Sequence, residues 1–305
     1  MEIRRCWHRV HAVSAAPDEF RAAIRSRPVP AASPTWQDKV DAIIGWKGQS
    51  MPDNVLRFTL VPKLTVDVFN RHVYANLALD GYAAFHAEGS RTLVVAEIVA
   101  AESQVDDVVN AAVKAGFTVS AVHNHLVHDS PRVMFVHMSG YGDPSMLAQG
   151  VKAALAATRV GVHTDEDSKD SDDRAPGLNQ PALDAILKTT GMPVDGVLEY
   201  SFERPENFTL DGHALPASMG PESEIHFQAL AGGQSFEVAE FALQENEVKK
   251  VTAYLEAHGQ NVRVSALHNH FVGENPRLFF LHTWGIGDAS ALARTLRGAL
   301  DQTPQ

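Results

Sequence analysis

Six of the chain's fifteen histidines fall into two matched sets, His123, His125 and His137, then His268, His270 and His282. In each set two imidazoles are separated by a single residue, and a third follows after a short polar turn. Residues two apart on a strand point to the same face, so the first two rings of each set project together. If the hairpin that follows pairs odd residues with odd, Phe135 and His137 share that face and His137 lies beside or diagonal to His123. Three imidazoles held by a rigid sheet are what a borderline divalent cation needs, with zinc the first choice.

Other residue types extend this reading. Glu97 and Glu240 sit inside otherwise apolar segments, where an unpaired carboxylate is costly, so each needs a partner as metal ligand or as catalytic base. Asp129 and Glu274, in the turn after the second histidine, are a second choice for that acidic role. Arg132 and Arg277 follow a proline at a strand start and could pair with a carboxylate or hold an anionic substrate. Asn124 and Asn269 point to the opposite face and read as structural. Asp143 and Asp288 read as helix caps, and His128 as a turn residue. The bland reading of all six histidines is a hydrogen-bonded core network without metal. The contiguous letters His-Asn-His do not make an HNH nuclease, whose residues are dispersed over a ββα unit. A cupin lacks support because its glycine spacing is absent.

The elements that must hold these residues are written twice. Thr118–Thr158 and Arg263–Thr303 align without a gap, with 20 identities over 41 positions, far above unrelated pairing, so the chain contains a tandem duplication. Shorter matches upstream (Val40–Ile44 with Leu183–Leu187, Met51-Pro52 with Met192-Pro193, Val95-Ala96-Glu97 with Val238-Ala239-Glu240) extend the repeats to 36–158 and 179–305. Residues 1–35 form an N-terminal arm with a short helix expected at Asp18–Arg25. Residues 159–178 hold an acidic run, Asp165–Asp173, whose composition is that of a solvated linker.

Within a repeat, Thr92–Val99 and Ser235–Leu243 read as strands. Gln104–Ala115 places Val105, Val108, Val109, Ala112 and Val113 on one helical face. Val119–Leu126 and Arg132–Met138 read as two strands, and Asp143-Pro144 opens a helix to about Ala157. Val55–Val61 and Tyr74–Ala84 supply further strands. The β-α-β-β-α order predicts an α+β fold with an antiparallel or mixed sheet and helices on one face, the two repeats related by a pseudo-two-fold axis. Each repeat is expected to carry its own site. Ser139 and His128 in the first copy stand where Trp284 and Gly273 stand in the second, so unequal affinities are expected.

Composition excludes several classes. Lys and Arg number 26 against 37 Asp and Glu, a formal net charge of −11, which opposes binding to a nucleic-acid backbone. The single cysteine, Cys6, rules out an intrachain disulfide and a Cys-rich zinc ribbon. No apolar run approaches membrane-spanning length. The opening Arg4-Arg5-Cys6-Trp7-His8 is too polar for an export signal, so a soluble, cytoplasmic protein is expected. Its implied partner is a small-molecule ligand or substrate; the composition is also compatible with an oligomer.

The segment SALHNHFVGENPRLFFLHTWGIGDASALARTLRGAL resembles the signature of the LppY/LpqO family, also catalogued as domain of unknown function 1259. The first-copy segment SAVHNHLVHDSPRVMFVHMSGYGDPSMLAQGVKAAL resembles it equally. The resemblance covers nearly everything after residue 36, including the duplication. Upstream, the family's Pro-Arg-x-Asp-Leu stretch is replaced by Pro62-Lys63-Leu64-Thr65 and Arg204-Pro205-Glu206-Asn207. Many relatives are exported or lipid-anchored, whereas the residues around Cys6 show no lipobox. The resemblance implies the fold and the histidine site but no activity. From the residues, a metal-dependent hydrolase is the leading expectation. A non-catalytic protein binding a metal or small anion is the alternative, and a structural histidine core the third.

Overall fold

Thr35 starts the first repeat by capping a helix. Its hydroxyl accepts from the Asp38 amide at 3.1 Å, and the Asp38 carboxylate accepts from the Thr35 amide at 2.7 Å. This reciprocal box launches α1 (Trp36–Ile44), which ends at Gly45 with φ 115°, a conformation that favours glycine. The computed structural model describes residues 34–162 and 174–304. The expected Asp18–Arg25 helix and the acidic run Asp165–Asp173 lie outside the described residues. The flanks of the linker are packed: Val162 bridges to Pro62, and Ala175 and Leu178 lie against the core of the second repeat.

After α1 come β1 (Gln49–Met51), β2 (Val55–Leu60), β3 (Val66–Val68), β4 (Arg71–Val73), β5 (Gly81–Glu88) and β6 (Arg91–Ala101). Then follow α2 (Val105–Lys114), β7 (Thr118–His123), β8 (Asp129–Ser130), β9 (Val133–Gly142) and α3 (Pro144–Ala157). The main sheet has the order β1-β2-β5-β6-β9-β7. The second repeat retraces this course: α4 (Gln180–Leu187), β10 (Met192–Val194), β11 (Val197–Glu203), β12 (Phe208–Leu210), β13 (His213–Leu215), β14 (Glu222–Ala229) and β15 (Ser235–Leu243). It closes with α5 (Glu245–His258), β16 (Val262–His268), β17 (Glu274–Asn275), β18 (Phe279–Gly287) and α6 (Ala289–Leu300). Its sheet order, β10-β11-β14-β15-β18-β16, is the same. Every strand pairing among the described residues is antiparallel, which narrows the antiparallel-or-mixed expectation. Asp143 and Asp288 cap α3 and α6 as expected. The segment expected as a strand over Tyr74–Ala84 begins only at Gly81, because residues 75–79 form turns.

The central strands β6 and β15 are apolar and buried on both faces along most of their length, the pattern of strands covered from two sides. One face of the first sheet packs Phe58, Phe85, Val94 and Ala96 under Val40, Val108, Ala112 and Val151 of the three helices. The opposite faces of the two sheets meet. Val55, Tyr82 and Val95 cluster with Phe208, Phe271 and Phe280, while Val99, Val133 and Phe135 cluster with Val197, Phe236 and Trp284. The layers therefore run helices, sheet, sheet, helices, and the middle seam is apolar. Truncating one of its buried phenylalanines to alanine would cost roughly 3–5 kcal/mol. The described residues from Thr35 onward form one compact unit, with the two repeats as its halves. The edge strands β7 and β16 meet through reciprocal bonds: Ser120 Oγ donates to the His270 carbonyl at 2.5 Å, and Ser265 Oγ to the His125 carbonyl at 2.6 Å. Equivalent serines bonding equivalent carbonyls across the seam is what a pseudo-two-fold axis requires.

Candidate metal centre

The sheet register brings the strand glutamate to the third histidine. Glu97 on β6 lies directly opposite His137 on β9, and Glu240 on β15 directly opposite His282 on β18. His123 pairs with Phe135 and His268 with Phe280, so the third histidine of each set is diagonal to the first, as the odd-with-odd pairing required. Strand β7 ends at His123, and a register shift between Val119 and Ala121 precedes it. His125 is thus carried by the chain beyond the strand, and other contacts fix its ring. It lies parallel to Phe135 with ring centroids 3.5 Å apart, and its Nδ1–H donates to the Ala78 carbonyl at 2.9 Å. That bond turns Nε2 toward the centre. His270 is flanked in the same way by Phe280, at 3.5 Å.

The two sets adjoin across the seam. His123 stacks on His268 at 3.5 Å, His137 on His270 at 4.0 Å and His125 on His282 at 4.1 Å. Three groups of donor atoms lie within ligation distance of one another: His123/His137/His268/His270, Glu240/His268/His270/His282 and His123/His125/His282. The first group takes two histidines from each repeat, the second lies wholly in the second repeat, and the third joins two histidines of the first repeat to one of the second. The expected set of the second repeat, Glu240 with His268, His270 and His282, is thus brought together within that repeat, while the histidines of the first repeat group with histidines of the second. The contact between the sets was not expected, because a sequence repeat fixes the geometry within each copy but carries no information about how the copies face each other.

The centre is buried: His137 and His282 are 0% and 1% exposed, and His123, His125, His270 and Glu97 are all under 9%. Glu97 Oε1 lies 3.1 Å from His125 Nε2 and 3.2 Å from His137 Nε2, and His137 Nε2 lies 2.8 Å from His123 Nε2. On the other side Glu240 Oε2 is 3.3 Å from His270 Nε2 and 2.9 Å from His282 Nε2. Neither of those two nitrogens makes an aligned hydrogen bond, and nor does His268 Nε2. Lone-pair atoms crowded this closely repel unless a proton or a cation lies among them, and buried polar atoms without partners are costly. The residues therefore fit a divalent cation on the chemistry of the donor set and on their orphaned nitrogens.

Electrostatics prepare the rings for this. Burial, reinforced by the neighbouring imidazoles, pushes His123, His270 and His282 well below the ordinary histidine range, and His268 to about 3. These four are neutral at pH 7, so no proton competes for them. The carboxylates differ. Burial raises both, but at Glu97 the charge of His137 and the hydrogen bonds from His125 and His137 outweigh it and hold the group below its ordinary value. At Glu240 burial, with Glu97, Glu224 and Glu222 nearby, raises the group well above it.

The centre opens into a cavity of about 520 Å³ between the two sheets, reached by His125, His270, His282, Glu97 and Glu240. Its walls were not read from the sequence. From the first repeat come Arg57, Asp80 and Tyr82, and from the second Glu199, Glu222, Glu224 and His226. Burial pushes Asp80 to about 6, Glu199 to about 7 and Glu222 to about 8. At His226 burial is outweighed by Glu224 and Glu199, which raise it to about 10. The alternation of Glu222, Glu224 and His226 on β14 was the signal available, since acidic residues at every second position of a strand mark a polar face.

The remaining expected residues lie elsewhere. Asp129 Oδ2 accepts from the Val133 amide at 2.7 Å, and Glu274 Oε1 from the Leu278 amide at 3.3 Å. Both shape their turns and neither joins the donor groups. Arg132 faces Glu102 at 3.9 Å and Arg277 faces Glu274 at 3.2 Å, each about half exposed, and neither lines the cavity. Asn124 and Asn269 each donate to a carbonyl two residues on, at 2.6 Å, as a structural role requires. His128 sits in a turn at φ 63° where Gly273 has φ 97°.

The sequence profile of a family described as a domain of unknown function, DUF1259, matches residues 38–157 and again 181–302. No curated protein matches the chain. Among solved structures, EtuB from Clostridium kluyveri aligns at 12% identity over 83% of this chain and 88% of its own, with a TM-score of 0.21. A double-ringed trimeric shell protein, MSM0271 from the RMM microcompartment, aligns at 12% identity over 80% of this chain and 95% of its own, with a TM-score of 0.20. Likeness at that level carries no argument about assembly or function. Among the described residues no helix is long and apolar enough to cross a membrane.

Proposed function

This chain belongs to the DUF1259 family, and we propose that it is a metal-binding protein with one composite centre, built from His123, His125, His137, His268, His270 and His282 with Glu97 and Glu240, that works as a metal-dependent hydrolase. The observation that carries the reading is the convergence of buried imidazole nitrogens and two carboxylates from both repeats at 2.8–3.3 Å, several without aligned partners. Zinc is the first candidate, because imidazole and carboxylate donors suit it. A bound divalent ion would act as a Lewis acid and bring the pKa of water toward neutral. Glu240, raised and facing the cavity, is placed to hold a proton at its carboxyl, and Glu97, held ionised, to accept one at Oε1 or to serve as ligand. The Phe135 and Phe280 rings keep His125 and His270 oriented. A sequestering protein without turnover would use the same centre; the cavity against it favours turnover.

The test is elemental analysis of protein expressed with zinc supplementation. The parent should carry zinc, and His137→Ala should lower it for the whole centre rather than for half, since His137 touches Glu97, His123 and His270. A parent without metal would overturn the reading. Loss of only half the metal in the variant would restore two independent sites.

A further inference from the structure

The centre is nearly symmetric across the seam, but the cavity walls beside it are not. The register makes Arg57 the counterpart of Glu199, Asp80 of Glu222, Tyr82 of Glu224 and Ala84 of His226, because Arg57 pairs with Ala84 as Glu199 pairs with His226, and Tyr82 with Glu97 as Glu224 with Glu240. The second repeat thus presents a carboxylate row where the first presents an arginine, an aspartate and a tyrosine. Glu224 and Glu240 are acidic groups directly opposite each other in a ladder, a destabilising pair when both are ionised, and Glu222 lies two residues along on the same face. The cations in reach are committed. His226 donates through Nδ1 to the Asn76 carbonyl at 2.9 Å and faces Glu224 through Nε2 at 3.4 Å. Arg57 lies over the Tyr82 ring at 4.2 Å and donates to the Ser218 carbonyl at 2.8 Å. Asp80, Glu199, Glu222 and Glu224 against Arg57 and His226 leave an acidic surplus in a cavity of about 520 Å³. Buried at the same cavity are His270 and His282, 4% and 1% exposed, whose Nε2 atoms have no aligned partner. These point to a ligand independently of the acidic wall.

We propose that this cavity binds a small organic cation bearing a primary ammonium or guanidinium group, held by Glu199, Glu222 and Glu224 while the rest of the molecule extends to the histidine centre. The proposal deepens the metal-centre reading and rests on it for the direction in which the ligand lies. An ammonium head favours the ionised form of these three carboxyl groups and satisfies their oxygens, whereas an anion would be repelled by them. The asymmetric walls give the ligand one orientation over a symmetric centre.

The experiment is calorimetric titration of zinc-supplemented full-length protein with 1,4-diaminobutane, butane-1,4-diol and succinate, probes of matched length carrying positive, no and negative charge. The diamine should bind at least tenfold more tightly than the diol, and succinate least. The double variant Glu199→Gln/Glu222→Gln should weaken the diamine at least tenfold with zinc content and far-UV dichroism unchanged. Equal binding of diol and diamine, or preference for succinate, would overturn the proposal without any variant. Loss of a zinc equivalent in the double variant would also overturn it, making the wall a metal site. Zinc content, measured on the same samples, separates the two readings. Charge discrimination without zinc sinks the centre alone, and zinc without discrimination sinks the pocket alone.

Discussion

Glu237 offers a quantitative test that does not depend on any ligand. It lies on β15, is 0% exposed, and neither carboxylate oxygen has a hydrogen-bond partner among the described residues. It faces the helix side of the sheet with Ala239 and Phe241, away from the centre. Its counterpart in the first repeat is Val94: Val94 pairs with Gly140 and Phe85 as Glu237 pairs with Gly285 and Phe227. Gly285 leaves room for the carboxylate, since a Cβ there would meet Glu237 Oε1 at 2.9 Å. Burial alone raises Glu237 from 4.5 to about 8. A carboxyl whose folded pKa is raised keeps its proton in the native state while the unfolded chain has lost it. Stability therefore falls as pH rises from about 4.5 to 8 and is level beyond. At about 1.4 kcal/mol per unit, the cost is on the order of 5 kcal/mol above pH 8 and roughly 3 kcal/mol at pH 7.

Glu237→Leu removes that cost while roughly conserving volume. Urea unfolding of parent and variant at pH 5, 7 and 9 isolates the group, because all other titrations cancel in the difference. The variant should be more stable at pH 7 by about 2–4 kcal/mol, and its advantage should grow from pH 5 to pH 9. Glu237→Gln, isosteric but without a proton to lose, should remove the pH dependence and recover less stability, because its amide stays unpaired. A difference between parent and Leu variant that is flat from pH 5 to 9, or a less stable variant, would refute the reasoning.

Three further outcomes follow from the packing. Arg204→Ala should destabilise by about 3–5 kcal/mol in chemical denaturation, since the guanidinium is buried against Glu247 at 2.8 Å and Glu206 at 2.9 Å and its loss strands the Glu247 carboxylate. Phe135→Ala should lower stability by roughly 3–5 kcal/mol and weaken zinc binding as well, because it frees the His125 ring; unchanged metal affinity would show that the ring is oriented without it. A protease site placed between residues 163 and 173, once cut, should leave two fragments that co-elute in gel filtration, because both contribute to the seam clusters. Separate elution of folded halves would contradict a shared core.

Much of the fold was legible because its signals are local. The run from Thr92 to Val99 reads as an apolar strand, the spacing of Val105, Val108 and Ala112 as a helix face, and Asp143-Pro144 as a helix start; the structure has all three. The diagonal placement of His137 was legible too, since a hairpin's register follows from side-chain alternation. The extent of β7 was not. Alternation continues through His125, but the strand stops at His123 and contacts to Phe135 and Ala78 hold the second ring. Such contacts are tertiary and leave no periodic trace.

The larger omission was the relation between the copies, and its physical cause explains why the two histidine sets adjoin. Each sheet has a helix-covered face and a bare apolar face carrying Val95 or Val238, and the bare faces must be buried against something. Each copy is the most available partner for the other, and packing them face to face puts the histidines of both on the seam. The serines at positions 120 and 265 then fix the approach of the edge strands by bonding to the carbonyls of His270 and His125. Ser120→Ala with Ser265→Ala should therefore loosen the six-histidine arrangement while leaving each repeat's own helix-side core intact. The expected result is a loss of zinc affinity larger than the loss of global stability, which two lost hydrogen bonds set at about 1–3 kcal/mol. An unchanged affinity with that stability loss would mean that apolar packing alone aligns the two halves.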